Sequence, residues 1–248
     1  MRISFVLLLF LIISHPLPAQ STVLQVVTES SPPYHYLNKY GRVDGETTHK
    51  VKAILEAAGV KGEFALYPWA RSIIMAERQA GTLIYSIART PEREKQFHWL
   101  AEVSVFHLAV VGLKSQPVAN GELKQGYLTN YTFAVQRDDI SYYWLQQQGF
   151  REGQNMLVCA DIQCSWEYLL RGMVDFIIED PALIPATAKK LNVDGEQLNP
   201  VMDIPELAVT GYLAASKDTD PAVVSQLKEA AQQLGMGITS GDGRVAPQ

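Results

Sequence analysis

Apolar and polar residues alternate along the chain with two periods. Short β-branched or apolar runs at 23–28, 63–67 and 83–87 read as buried strands. Between them Val51, Ile54, Leu55 and Ala58 fall at helical spacing, and 72–79 forms a second amphipathic run. Thr47 or Thr48 can cap the first helix, and Gly59 stops it. Gly41 and Asp44-Gly45 mark a hairpin turn just before it. Strands alternating with helices of this length predict right-handed βαβ units around a mostly parallel sheet.

The pattern then repeats its rhythm without repeating its sequence. A long apolar segment, 103–113, gives way to a polar stretch, 115–126, punctuated by Pro117, Gly121 and Gly126. That change marks a boundary near residue 114. Strands at 131–135, 155–159 and 174–178 alternate with helices at 141–148, 165–170 and 183–191. A further strand is expected at 198–202 and another at 207–215. Asp220 then caps a final helix, with Pro221 at its first position. The apolar segments 103–113 and 207–215 flank the middle unit. If both cross between lobes, residues 20–113 and 207–248 form lobe 1, and 114–206 form an inserted lobe 2. The expected fold is thus α/β and two-lobed, each lobe a mixed sheet flanked by helices, with the cleft between them.

Composition and address narrow the setting. The chain has 248 residues and a formal net charge of −5. That balance argues against a nucleic-acid partner, which would want a basic face. Met1-Arg2, an apolar core at 5–13 and Pro16-Leu-Pro-Ala19 make the tripartite pattern of a secretory signal, residues 1–19, cleaved after Ala19. The apolar core is short for a spanning helix, although an uncleaved anchor is the alternative. Cys159 and Cys164 are the chain's two cysteines. In an oxidising compartment they suggest a local disulfide; two free thiols are the alternative. Without nearby His or further Cys the pair is no zinc signature.

The candidate chemistry gathers where strands end, because open α/β sheets bind ligands at their strands' carboxyl ends. The 83–87 strand runs into Ala88-Arg-Thr-Pro-Glu-Arg93, which offers guanidinium forks for a carboxylate. The first strand ends in Glu29-Ser-Ser-Pro-Pro-Tyr34, so Tyr34 is either an aromatic pocket wall or a surface tyrosine. Glu29, Glu179 and Asp180 are available as acids. No Gly-x-Ser-x-Gly or His-Glu-x-x-His motif occurs.

With these residues in view, the chain resembles the bacterial extracellular solute-binding proteins of family 3, the periplasmic polar-amino-acid-binding type. Four stretches carry the likeness: Pro32-Pro33-Tyr34 after the first strand, Gly45 before the first helix, Ser86-Ile-Ala-Arg-Thr-Pro-Glu-Arg93, and Gly172-Met-Val-Asp175-Phe-Ile-Ile-Glu-Asp180. The resemblance implies a type II periplasmic-binding-protein-like fold and an inter-lobe cleft that closes by hinge motion on a small polar ligand. It implies that Arg93 grips a ligand carboxylate and Asp180 takes an ammonium. A surface ion pair for Arg93 and a helix cap for Asp180 are the plainer alternatives. Ser86 lies in the same motif. Two departures point to an unusual ligand: Ala88 and Arg89 stand where Ser or Thr is usual, and Arg137-Asp-Asp139 replaces a Gly-Thr-Thr-like turn. Tyr34, Trp69 and Arg71 of Tyr67-Pro-Trp-Ala-Arg71 would enlarge or re-polarise the site, with a core position as the other reading of Trp69. The implied role is a monomeric, cofactor-free periplasmic binder serving an inner-membrane ABC-type permease. The alternatives are a membrane sensor's ligand carrier and an enzyme of the cyclohexadienyl dehydratase type.

Overall fold

The computed structural model describes residues 23–115, 123 and 125–239. The expected signal segment, 1–19, and most of 116–124 lie outside them. The first unit comprises β1 (Val23–Thr28), a short hairpin of β2 (Tyr36–Leu37) and β3 (Val43–Asp44), α1 (Glu46–Ala57), β4 (Lys61–Leu66), α2 (Trp69–Arg78) and β5 (Thr82–Ala88). The long β6 (Phe97–Leu113) leads to β7 (Phe133–Gln136), α3 (Ile140–Gln147), β8 (Met156–Cys159), α4 (Ile162–Leu170), β9 (Phe176–Glu179) and α5 (Ile184–Leu191). An equally long β10 (Leu198–Ser216) returns to the first unit, where α6 (Pro221–Gln233) packs.

Hydrogen bonding joins eight strands into one mixed sheet in the order β4-β1-β5-β10-β6-β9-β7-β8. The three strands at each end are parallel, as βαβ units require. In the centre β6 and β10 run antiparallel to each other and through both halves. Helices cover both faces at both ends. In the first half α1 and α6 bury Ile54, Leu55 and Leu227 on one face, and α2 buries Trp69 and Ile73 on the other. In the second half α3 buries Trp144 and Leu145, while α4 and α5 bury Trp166, Leu169 and Ala188 opposite. The result is a two-lobed α/β fold of the periplasmic-binding-protein type.

Three local expectations are corrected. The segments 198–202 and 207–215 are one strand, interrupted by a bulge between Asp203 and Ala208 that keeps its pairing with β6. Helix α2 begins at Trp69, because Pro68 sets the turn into it and needs no donor of its own. Neither Thr47 nor Thr48 caps α1. Gly45 holds the cap position with φ 121°, and a Cβ there would lie 2.4 Å from the Tyr34 carbonyl oxygen. This close approach lets the Pro33 and Tyr34 carbonyls accept from Glu46 and Thr47 N–H at 3.3 and 3.1 Å. Thr48 is buried instead, its hydroxyl 3.0 Å from that of Tyr85. The loop after β1 is therefore fastened to a helix end.

Candidate inter-lobe binding site

The parallel strands β1 and β5 of one half and β7 and β9 of the other run in opposite directions, so that their carboxyl ends meet at a cavity of about 90 Å³. Lobe 1 contributes Glu29 from just past β1, Ser86 and Ala88 from β5, Trp69 and Arg93. Lobe 2 contributes Gln136 at the end of β7, Asp139 and Ile140 at the start of α3, and Glu179 at the end of β9. Phe106, Leu108 and Val209 from the two crossing strands form an apolar floor. The backbone is unusual at this floor. Ser86 has φ 62°, and Gly211 opposite it leaves no room for a Cβ, which would sit 2.2 Å from the Ser104 hydroxyl.

Arg93 is the cation of the cavity. It is only 6% exposed. Its guanidinium donates to the Ala88 carbonyl at 3.2 Å and, across the cleft, to the Asp138 carbonyl at 2.7 Å. Among the described residues it has no carboxylate within ion-pair distance. Burial lowers its pKa, with Asp139 the first of the charges that oppose this. Trp69 Nε1 donates to the same Asp138 carbonyl at 3.0 Å. Asp138 presents that carbonyl by adopting φ 57°, a left-handed conformation that aspartate tolerates. Asp139 next to it caps α3, accepting from the N–H and hydroxyl of Ser141.

The acids outnumber the cation. Glu29 accepts from the Gln136 amide across the cleft. Some of its surface opens to the cavity, yet protein surrounds it closely. Desolvation first, then the charge of Asp139, pushes its pKa up to about 8. Glu179 is buried, accepting from Trp166 Nε1 at 3.0 Å and from the Asp180 N–H at 2.9 Å. Desolvation again leads, and its pKa is raised to about 7. Next to Glu29, His35 gives its Nδ1 to the Glu29 carbonyl oxygen at 2.7 Å, and burial lowers its pKa to about 4.

Of the residues singled out in the sequence, Arg93, Glu29, Glu179, Ser86, Ala88 and Trp69 meet in this cavity. The others are elsewhere. Asp180 does not line it: one carboxylate oxygen caps the turn at Ala182 and the other accepts from His107 N–H. Burial and the nearby Asp180 charge raise the pKa of Tyr34, whose ring stands edge-on to Phe106 behind the cavity floor. Arg71 is exposed and stacks 4.2 Å from the Tyr67 ring. Arg89 donates two bonds to the Glu94 carboxylate, at 2.6 and 2.7 Å. Arg137 turns outward to Glu152 at 2.9 Å, because the left-handed Asp138 points Asp139 inward in its place. Asp139 had a legible signal, an Asp two residues before Ser141 at a helix start. Gln136 and the Asp138 carbonyl had none. The Cys159–Cys164 disulfide forms, with a Cα separation of 5.7 Å, beside the second-lobe wall.

The profile of the bacterial extracellular solute-binding proteins, family 3, matches residues 24–236. The chain belongs to that family. Solved structures agree on the fold. An ancestral arginine-binding protein bound to arginine superposes with TM-score 0.72 at 20% identity, over 86% of this chain and 92% of that one. The arginine-, lysine-, histidine-binding protein ArtJ from Geobacillus stearothermophilus gives TM-score 0.70 at 19% identity, covering 86% and 89%. A histidine kinase sensor domain with similarity to periplasmic binding proteins gives 0.71 at 18%, covering 86% and 90%. No curated protein matches the chain in sequence. Among the described residues no helix is long and apolar enough to cross a membrane.

Proposed function

We propose that this family member captures a small, carboxylate-bearing, amino-acid-like solute in the cavity between its lobes and delivers it, in the periplasm, to an ABC-type permease. One observation carries the reading: Arg93 is a buried guanidinium whose hydrogen-bond partners are carbonyls, with no carboxylate within ion-pair distance among the described residues. A buried charge without a paired carboxylate is costly, and a ligand carboxylate would relieve that cost with bidentate geometry. Closure would pivot on β6 and β10. The division into 20–113 with 207–248 and 114–206 puts their crossing between the lobes, where the bulge at Asp203 to Ala208 loosens the ladder. Bonds from Glu29, Trp69 and Arg93 to the opposite lobe support a closed cleft around the ligand.

The test is calorimetric titration of the mature protein with the common L-amino acids. Saturable binding is expected, and Arg93→Ala should abolish it. Undiminished affinity in that variant would remove Arg93 from the site and the reading with it. The likeness to a kinase sensor domain supports a sensor as the alternative client. Glu29 and Glu179, with pKa raised to about 8 and about 7, keep the dehydratase reading testable as general acids. Product formed from prephenate would favour it over simple binding.

A further inference from the structure

Glu29 belongs to lobe 1, just past β1, yet the acids that press on its carboxylate belong to lobe 2. Gln136 at the end of β7 donates to it, while Asp139 at the cap of α3, Glu179 at the end of β9 and Asp161 at the cap of α4 set negative charge around it. Glu179 is the opposite case. The bond from Trp166 and the charges of Asp180 and Asp139 that act on it all come from its own lobe. Parting the lobes would hydrate Glu29 and remove its acidic neighbours in one motion, but leave the bonded partners of Glu179 in place. We propose that Glu29 is a positioning residue that latches the cleft through a proton: neutral, it holds lobe 1 to Gln136 of lobe 2, and ionised, it drives the lobes apart. The latch rests on the two-lobe division and hinge given above, not on the ligand or on Arg93's part in binding it.

The other contacts across the cleft leave this role to Glu29. Three further side chains bond from lobe to lobe, and all end on neutral acceptors: Trp69 and Arg93 on the Asp138 carbonyl, Lys190 on the Ser30 hydroxyl at 2.8 Å. Those acceptors do not change charge with pH. Arg93 lines the cavity with Glu29, and Lys190 and Tyr67 line the adjoining groove with it. Among the described residues neither cation is within ion-pair distance of Glu29, so no salt bridge holds it ionised in the closed form. His35, with Nδ1 2.7 Å from the Glu29 carbonyl oxygen, has its pKa lowered by burial to about 4 and is neutral above that.

The direction of the effect follows from the two surroundings. In the closed cleft desolvation first, then the charge of Asp139, lifts the Glu29 pKa to about 8, against the weaker pull of the Gln136 bond. In the open cleft water returns it toward its ordinary value. Between those values the closed form carries up to about one proton more than the open form. Closure is therefore favoured in acid and lost as pH rises through about 8. Solute binding, which needs closure, takes up a proton in that window, so the cleft retains its solute in acid and releases it in alkali.

Small-angle X-ray scattering of the mature protein without ligand, at pH 5.5 and pH 8.5, reads the lobes directly. The closed-to-open ratio is expected to fall roughly tenfold or more between the two, seen as an expansion of the particle at unchanged far-UV ellipticity. Tryptophan emission should shift to the red with it, as the Trp69 indole leaves the Asp138 carbonyl. Glu29→Gln should stay compact at both pH values, and Glu179→Gln should keep the parent's transition. Gln136→Ala should be expanded already at pH 5.5, an arm that does not depend on the Glu29 variant folding. The latch is overturned by a parent whose size does not change with pH, or by expansion that brings loss of ellipticity. It is overturned equally by a transition that survives Glu29→Gln, by one that Glu179→Gln abolishes, or by Gln136→Ala remaining compact at pH 5.5. Because no ligand is present, a failed amino-acid titration would sink the binding reading and leave the latch, while pH-independent scattering would sink the latch and leave the binding reading.

Discussion

The outer and inner faces of the turn after β5 carry two arginines four residues apart, and the fold treats them oppositely. On the outer face Arg89 finds its counter-charge within its own lobe, with both forks on Glu94 and its guanidinium 5.5 Å from the Trp99 ring. On the inner face Arg93 reaches only carbonyls, one of them from the other lobe. A charge satisfied locally is structural, because a ligand would have to break an ion pair to use it. A charge left with neutral dipoles keeps most of its field for whatever enters the cavity. Lobe 2 shows the same split on the turn after β7, where Arg137 pairs outward with Glu152 and Asp139 faces in.

The contrast breaks most sharply if Arg93 is truncated. Arg93→Ala should weaken ligand binding by about 2–5 kcal/mol, at least thirtyfold in Kd, since it strips the partner from a desolvated carboxylate. Next comes Glu29→Gln, read by thermal melting across pH. The raised pKa of Glu29 means the folded state binds more protons than the unfolded one between its ordinary value and about 8, so stability falls as pH rises through that window. Gln carries no such charge and can still accept from the Gln136 amide. The variant should match the parent near pH 5 and melt higher at pH 8. A difference that does not grow with pH would mean that Glu29 is ionised throughout.

A smaller effect is expected from Trp69→Phe, which removes one donor from the Asp138 carbonyl while Arg93 still serves it. About 1 kcal/mol of closed-state stabilisation should be lost, read as a roughly fivefold rise in ligand Kd. An unchanged Kd would show that the bond does not help closure. Smallest of all, Arg89→Ala should leave Kd within twofold of the parent, with at most about 1 kcal/mol lost in stability, as for a partly exposed pair. A binding defect there would dissolve the distinction between the two faces.

The layout of the lobes was legible because strand and helix periods are local properties. β1, β5, β7, β9 and the final helix with its Asp220-Pro221 start all follow from short windows of sequence. The family likeness rested on motifs that are local as well. The merging of 198–202 with 207–215 was not legible, since Ile204 to Leu207 continue one strand only by virtue of β6 beside them. Gly45 stood out in the sequence, but which atoms crowd it depends on Pro33 and Tyr34, and the crowding of Gly211 by Ser104 and Phe106 had no signal there.

Arg93 as a candidate cation was present in the sequence itself, from a strand end and a proline-stiffened turn. Which acids line the cavity with it was decided only by the tertiary structure. Asp180 and Glu179 are adjacent, and strand geometry sends neighbouring side chains to opposite faces, so one caps a turn while the other enters the cavity. The same single-residue choice separates Arg137 from Asp139, set by the left-handed backbone of Asp138 between them. Sequence alone determines which residues lie near a strand's end. Their direction, and hence their chemistry, is fixed by the backbone conformation and the packing of the opposite lobe.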